Sequence, residues 1–389
     1  MIALTAGVLF TPLMRVAEPV VLIEDGLIIA VDSRTRLAQP AGARPVDFPD
    51  AILAPGFVDI HVHGGGGQDV MHPDERGLSR MEAVLARHGV SSYFPTTVTA
   101  PLDLTLSSLE RLAAIIENSA AGQANGLRSR PLGIHLEGPF LSHARRGVHP
   151  AENLLPPTVA VFERFWQAAR GHVSLMTIAP EVEGAIEVIR EASRRGVAIS
   201  LGHSDASWDQ TRAAVAAGAR HATHTFNAMR PLSHRDPGIL GVVLTDAALS
   251  ADIILDGIHV HPAMAKLFMQ MKGPERAVLI SDGLSATGMP EGRYRLGLLE
   301  VEVHGGKCLA GQTLAGSVLT LDRGVRNAMK FANLDGQQAL RAATLNPAQI
   351  LGVGSQAGTL APGMPADIVI LSRDYKVIQT MVRGRGLGF

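Results

Sequence analysis

The chain has 389 residues, 46% hydrophobic and 18% charged, with a net charge of −1. That length exceeds one small core and fits a barrel of about 250 residues plus a smaller domain. The composition excludes a disordered chain, and the near-zero charge excludes a global field that would draw in nucleic acid or a membrane surface.

The first ten residues are apolar but lack a basic start, and Gly7 and Pro12 suit a strand and turn better than a signal peptide. Two apolar runs, Val20-Val21-Leu22-Ile23 and Leu27-Ile28-Ile29-Ala30-Val31, flank Asp25-Gly26, a strong hairpin signal. The last 30 or so residues repeat this style around Ile368-Val369-Ile370-Leu371 and Val377-Ile378. Both chain ends are therefore expected to meet in one small β-sandwich domain, residues 1–54 and 356–389. Between them strand and helix patterns alternate. Candidate strands cover residues 56–61, 91–98, 131–136, 173–178, 197–201, 221–224, 252–255 and 277–281, with helical patterns such as 106–116, 184–195, 208–217 and 262–271 between them. Eight strands with intervening helices predict an α/β fold, a TIM-like (β/α)8 barrel over residues 55–355. No run reaches about 18 apolar residues, so no membrane span is expected. The single cysteine, Cys308, excludes an intrachain disulfide and leans toward a cytoplasmic setting.

Barrel enzymes carry their chemistry at the C-terminal ends of the strands. There stand His61 and His63 (strand 1), Glu137 (strand 3), His203 (strand 5), His224 (strand 6) and Asp282 (strand 8). His61 and His63 are two apart, so on a strand they share one side. Imidazoles with carboxylates suit Zn2+ and its neighbours Fe2+, Mn2+ and Co2+. Singly, His61 and His63 read as a solvated polar strand end, His203 and His224 as satisfied core histidines, Glu137 as a structural carboxylate and Asp282 as a helix N-cap. Together they predict a metal centre with Asp282 as the base beside it. His135 shares the face of Glu137 and is assigned a packing role. His72, His88, His172, His221, His234, His261 and His304 have no inferable partner and are expected at the surface.

The motifs also resemble a family. Pro55-Gly56-Phe57-Val58-Asp59-Ile60-His61, His135-Leu136-Glu137-Gly138-Pro139-Phe140, Gly202-His203-Ser204, His224-Thr225-Phe226-Asn227-Ala228-Met229, Asp256-Gly257-Ile258-His259, Ser281-Asp282-Gly283 and Leu314-Ala315-Gly316-Ser317 are similar to the N-acetylglucosamine-6-phosphate deacetylases of the amidohydrolase superfamily. The opening His-x-His is general to the superfamily, whereas the stretches at 226–229 and 256–259 are more specific. The resemblance implies hydrolysis of the acetamide of N-acetylglucosamine 6-phosphate. It implies Glu137, His203 and His224 as shared ligands, with His61 and His63 for a second ion bridged by Glu137, so one or two ions per subunit. It implies Asp282 as acid/base and His149 as a group polarising the acetyl carbonyl. Substrate contacts would come from Val148, His149, Asn227, Ala228, Arg235, Asp256, Gly257, Ile258, His259, Leu314, Ala315 and Gly316. It further implies a homodimer in which Arg235 and His259 reach the neighbouring site. Arg145-Arg146 adds local positive charge whose role the sequence leaves open, and Leu284 is bulkier than the family's pattern, which bears on substrate scope. The alternatives are a related amidohydrolase acting on another N-acyl amine or cyclic amide, and a non-catalytic metal-binding scaffold.

Overall fold

The alternating middle of the chain curls into a ring. The computed structural model describes residues 1–120 and 126–386. Its parallel strands are β1 (Phe57–Val62), β2 (Val90–Thr97), β3 (Ile134–Glu137), β4 (Val173–Ile178), β5 (Ala198–Leu201), β6 (His221–Ala222), β7 (Ala251–Ile254) and β8 (Ala277–Ile280). Strands β1 to β6 pair in chain order and β7 pairs with β8. Two seams join these arcs. Thr225 N–H donates to the Asp252 carbonyl at 2.9 Å between β6 and β7, and Asp282 N–H to the His61 carbonyl at 3.0 Å between β8 and β1.

Parallel neighbours require crossovers, and helices supply them. In order they are Glu75–Arg87, Leu102–Ala120, Val159–Ala168, Ala185–Arg194, Trp208–Ala217, Gly238–Thr245, Pro262–Lys272 and Leu321–Ala332. Their sequences explain them. In Ala185–Arg194 the buried residues Ala185, Val188, Ile189 and Ala192 recur at helical spacing and leave the charges outside. Trp208–Ala217 starts on a reciprocal Ser207–Gln210 cap and stops at Gly218. Strands covered on both faces bury every residue, as all of β2 does. Each fully buried Phe or Leu in this core contributes roughly 1.5–3 kcal/mol.

The chain ends share one seven-stranded sheet. Ile2–Phe10 runs parallel to Arg44–Pro55, which pairs antiparallel with Ile368–Leu371. The Asp25-Gly26 turn lies where the sequence places it, with Glu24 opposite Leu27 and positive φ at both turn residues (50° and 78°), the geometry of a two-residue hairpin. Among the described residues no helix is long and apolar enough to cross a membrane.

One element goes beyond the sequence reading. After β8 the chain forms a four-stranded antiparallel sheet, Gly292–Leu296, Leu299–His304, Lys307–Ala310 and Thr313–Leu314, before the last barrel helix. Its Val301, Val303 and Cys308 pack in one apolar cluster with Met71, Leu284 and Leu296, which fastens the insertion over the barrel mouth.

Helix Glu75–Arg87 buries one acid, Glu82, whose Oε1 accepts the Tyr93 hydroxyl at 3.0 Å. Burial pushes its carboxyl up to about 7 from 4.5, partly offset by that hydroxyl. A folded value above the unfolded one means the folded chain holds the proton longer, so Glu82 costs stability progressively as pH rises from 4.5 to about 7. Glu82→Gln keeps an acceptor for Tyr93 and removes the ionisation. It is expected to raise stability at pH 8 by ~3 kcal/mol, an advantage that disappears by pH 4. Urea midpoints at both pH values test this, and a gap independent of pH would contradict it.

Candidate metal centre and active site

Six side chains from five strands converge at the C-terminal mouth of the barrel. His61 lies on β1, His63 just after it, and Glu137 ends β3. His203, His224 and Asp282 each lie two residues past the ends of β5, β6 and β8. These three have positive φ (48°, 28° and 49°), a conformation that non-glycine residues rarely adopt and that concentrates at functional sites. All six side chains are buried.

The donors point at one another. Glu137 Oε1 lies 3.2 Å from His203 Nε2 and 3.1 Å from His224 Nε2, while Oε2 lies 3.2 Å from His63 Nε2. The pairs His61–His63 and His203–His224 each bring Nε2 atoms within 3.1 Å. Asp282 Oδ1 is 3.3 Å from His63 Nε2 and 3.5 Å from His61 Nε2. Two rings have their other nitrogen beside a carbonyl: His63 Nδ1 at Thr96 O (3.0 Å) and His203 Nδ1 at Arg145 O (3.1 Å). A carbonyl accepts, so Nδ1 carries the proton and Nε2 turns a lone pair inward. Lone pairs and carboxylates facing one point, about 3 Å apart, are what ligands around one tetrahedral or octahedral ion look like. The donor set thus fits a divalent cation. His61, His63 and Asp282 form one group, and Glu137 lies between it and His203.

The electrostatics agree. Burial alone would push His63 down, but the Asp282 and Glu137 carboxylates outweigh it and hold it near 10. His224 is likewise held near 9 against burial, chiefly by Glu137. Burial raises Asp282 and Glu137, yet the surrounding imidazoles, His61 first, hold Asp282 near 2 and Glu137 well below the usual carboxylate range. These protons occupy the charge position of a cation, and binding one releases them. His149 behaves differently: burial, followed by repulsion from His203, lowers it well below 6.5, so it is neutral.

Structural support reaches outward. The Asp252 carboxylate accepts the backbone N–H of His224 and lies 2.9 Å from His221 Nε2. His221 is therefore not at the surface, as expected from the sequence, but fully buried; its partner sits 31 residues away on the next strand. His135 is fully buried too, between the Ile60 carbonyl (3.1 Å) and the Thr177 hydroxyl (2.8 Å). His261 caps helix Pro262–Lys272.

A cavity of about 410 Å³ opens over these side chains. Val148, His149, Asn227, Ala228, His259, Leu314 and Gly316 line it together with His63, Glu137, His203, His224 and Asp282. Other expected contacts lie elsewhere. Asp256 stands behind the wall, where it accepts His259 Nδ1 at 2.7 Å and the backbone N–H groups of Ile258 and His259. Gly257 and Ile258 form that turn outside the lining, and Ala315 is buried in the apolar cluster of the inserted sheet. Arg235 is exposed on the loop after β6 and is not among the lining residues, whereas His259 lines this chain's cavity. Arg145 pairs with Asp205 at 2.7 Å, and Arg146 holds the His149 carbonyl at 2.9 Å, so both brace loops. Leu284 is fully buried outside the lining, packed beside Gly316. Asp282 caps no helix; its carboxylate faces the histidines. The sequence reading missed Val98, Ile254 and, from the inserted sheet, Leu296, Gln312 and Thr313 on the wall. A larger cleft of about 710 Å³ beside the chain-end sheet is lined by no histidine among the described residues.

Comparison with known proteins agrees with this geometry. The amidohydrolase family profile matches residues 52–387. An Escherichia coli O157:H7 N-acetylgalactosamine-6-phosphate deacetylase is 38% identical over 94% of both chains. A Bacillus subtilis (strain 168) N-acetylglucosamine-6-phosphate deacetylase is 37% identical, covering 93% of this chain and 91% of the relative. The structure of a mutant N-acetyl-D-glucosamine-6-phosphate deacetylase from Mycobacterium smegmatis, in complex with N-acetyl-D-glucosamine-6-phosphate, superposes with a TM-score of 0.90 at 36% identity, covering 100% and 99% of the two chains. A metal-type donor set at the mouth of a (β/α)8 barrel, matched across nearly the whole length, means that the chain belongs to the amidohydrolase family.

Proposed function

We propose that this protein hydrolyses the acetamide of an N-acetylamino sugar 6-phosphate, N-acetylglucosamine 6-phosphate first, releasing acetate and the amino sugar phosphate. The observation that carries the reading is the meeting, in one cavity, of a cation-type donor set, the Asp282 carboxylate and the His149 imidazole. Relatives named for this reaction, at 37% identity and similar length, support the substrate class. The galacto epimer is the second reading, favoured by the 38% identical relative.

Glu137, His203 and His224 would hold one divalent ion, Zn2+ foremost, and His61 and His63 a second that shares Glu137. Bound there, such an ion supplies Lewis acidity and lowers the pKa of a nearby water toward about 7. Asp282 accepts the proton of the attacking water. Its oxygen bonds to the acyl carbon, and His149 Nε2–H donates to the acyl oxygen as negative charge develops there. Asp282 then returns the proton to the amine nitrogen as the C–N bond breaks. Asn227, Ala228, Leu314 and Gly316 wall the sugar. The phosphate falls to His259 and to Arg235 of a second copy, since Arg235 lies off its own cavity; a guanidinium binds phosphate through paired hydrogen bonds. On this reading the working form is a homodimer. Residues 1–54 and 356–389 would act as one supporting β unit around the barrel at 55–355, in a cytoplasmic setting.

Acetate release from N-acetylglucosamine 6-phosphate, its galacto epimer and unphosphorylated N-acetylglucosamine tests the reading. The phosphorylated sugars are expected to turn over far faster, and equal rates with and without phosphate would move the assignment to another N-acyl amine. Arg235→Ala is expected to raise KM for the phosphorylated sugar by roughly 10- to 100-fold, the worth of a charged hydrogen bond. It should leave the slow reaction of the unphosphorylated sugar unchanged.

A further inference from the structure

We propose that Thr99 is a positioning residue that fixes the tautomer of His149, so that Nε2 carries the proton offered to the acyl oxygen. The proposal rests on the amide-hydrolysis reading above. Strand β2 sends no imidazole or carboxylate to the centre, but the chain at and beyond its end aligns the groups of other strands. The Thr96 carbonyl orients His63. Thr99 does the equivalent for His149 with opposite polarity.

Two groups of Thr99 face His149 Nδ1. The backbone N–H donates to it at 3.3 Å, and the hydroxyl lies 2.7 Å away. A hydroxyl can donate or accept, but a backbone N–H only donates. Nδ1 must therefore present its lone pair, and the hydroxyl turns to donate as well. A neutral imidazole has one N–H, which is left on Nε2. Nε2 lies 3.7 Å from Glu137 Oε2, within the cavity. Nε2 approaches Glu137 and His203 closely enough to be grouped with them as a ligand, but a protonated nitrogen is a donor and not a ligand. The opposite tautomer would set a lone pair against the acyl oxygen and an N–H against the Thr99 N–H.

The surroundings hold this contact. His149 N–H donates to the Arg146 carbonyl at 3.1 Å and Arg146 Nη1 donates back to the His149 carbonyl at 2.9 Å, which closes the loop around the ring. On the other side Gly138, next to Glu137, has φ 78°, and a Cβ there would lie 2.3 Å from the Thr99 hydroxyl oxygen. The hydroxyl thus fills the space left by the absent side chain. Thr99, Gly138 and His149 come from the ends of two strands and one loop, and they lock against one another.

The test uses zinc-loaded protein with 15N-labelled histidine, as wild type, Thr99→Val, Thr99→Ser and His149→Asn. The wild-type spectrum is expected to show His149 with unprotonated Nδ1 and protonated Nε2. Thr99→Val removes the shorter of the two hydrogen bonds. It should move the signals toward a tautomer mixture and lower kcat roughly tenfold, with KM and zinc content nearly unchanged. Thr99→Ser should restore both. Protonated Nδ1 in wild type or in Thr99→Ser would overturn the proposal, even if Thr99→Val does not fold. So would an undiminished kcat in a folded, zinc-replete Thr99→Val. Full activity in His149→Asn would instead remove His149 from the reaction, and the spectra would still decide the Thr99 contact.

Discussion

Asp282→Asn is expected to lower kcat by about 10³- to 10⁴-fold while the protein keeps its fold and most of its metal. General acid–base catalysis is worth about 10²–10⁴-fold, and Asp282 is placed to act in both directions of proton transfer. Its Oδ1 lies 3.3 Å from His63 and 3.5 Å from His61, with the cavity on its open side. Asparagine preserves shape and one oxygen. Its amide nitrogen, however, cannot take a proton from water or pass one to the leaving amine. In the metal-free chain the neighbouring imidazoles, His61 first, hold the Asp282 carboxyl near 2 against the pull of burial, so it is ionised at neutral pH. A depressed folded value means that ionisation is lost only as pH falls through it. Single-turnover acetate release, paired with metal analysis of the same sample, measures the effect. A metal-replete Asp282→Asn with near-normal turnover would remove Asp282 from the chemistry.

Much of the barrel was legible because most of it repeats one rule: a strand-like run, a glycine or polar break, then a helical pattern. The candidate ligands could be picked out because each stands at or just past the end of a strand. His61 and His63 show their shared side in the sequence itself through their two-residue spacing. What escaped depends on distance along the chain. His221 looks like any other histidine until Asp252 is seen opposite it, 31 residues on. Arg145 reads as loose positive charge until Asp205 is found 60 residues away. Thr99 carries no chemical signal; only His149, 50 residues later, gives it one. The inserted sheet was more readable. Leu299-Glu300-Val301-Glu302-Val303-His304 alternates in polarity and ends at Gly305-Gly306, both with positive φ, which is a hairpin signature. It passed unread because a barrel predicts a helix after its last strand. Asp256 shows a subtler limit. Its motif reaches the cavity wall, yet the carboxylate braces His259 and leaves the contact with the cavity to the imidazole.

Glu137→Gln is the change expected to do most damage, since Glu137 stands at the centre of the donor set. One oxygen faces His203 and His224 and the other faces His63, which is the arrangement a carboxylate shared by two cations requires. The amide keeps the volume and loses the charge. Two consequences follow. A cation loses its central anionic ligand, so metal content after dialysis should fall close to zero, and turnover should fall by at least about 10³-fold, with metal resupply restoring little of it. The metal-free protein should also be weakened. The charge that holds His63 near 10 and His224 near 9 against burial is reduced, and removing one member of a buried charged cluster costs about 3–5 kcal/mol. His61→Asn is the informative companion, because His61 groups with His63 and Asp282 rather than with His203. If two ions bind, His61→Asn should retain about one per chain where wild type holds two, whereas Glu137→Gln should hold neither. Metal counted per chain, together with melting temperatures of the metal-free proteins, separates the cases. Full metal content and full turnover in Glu137→Gln would mean that this carboxylate is packing and that the cation is held by the imidazoles alone.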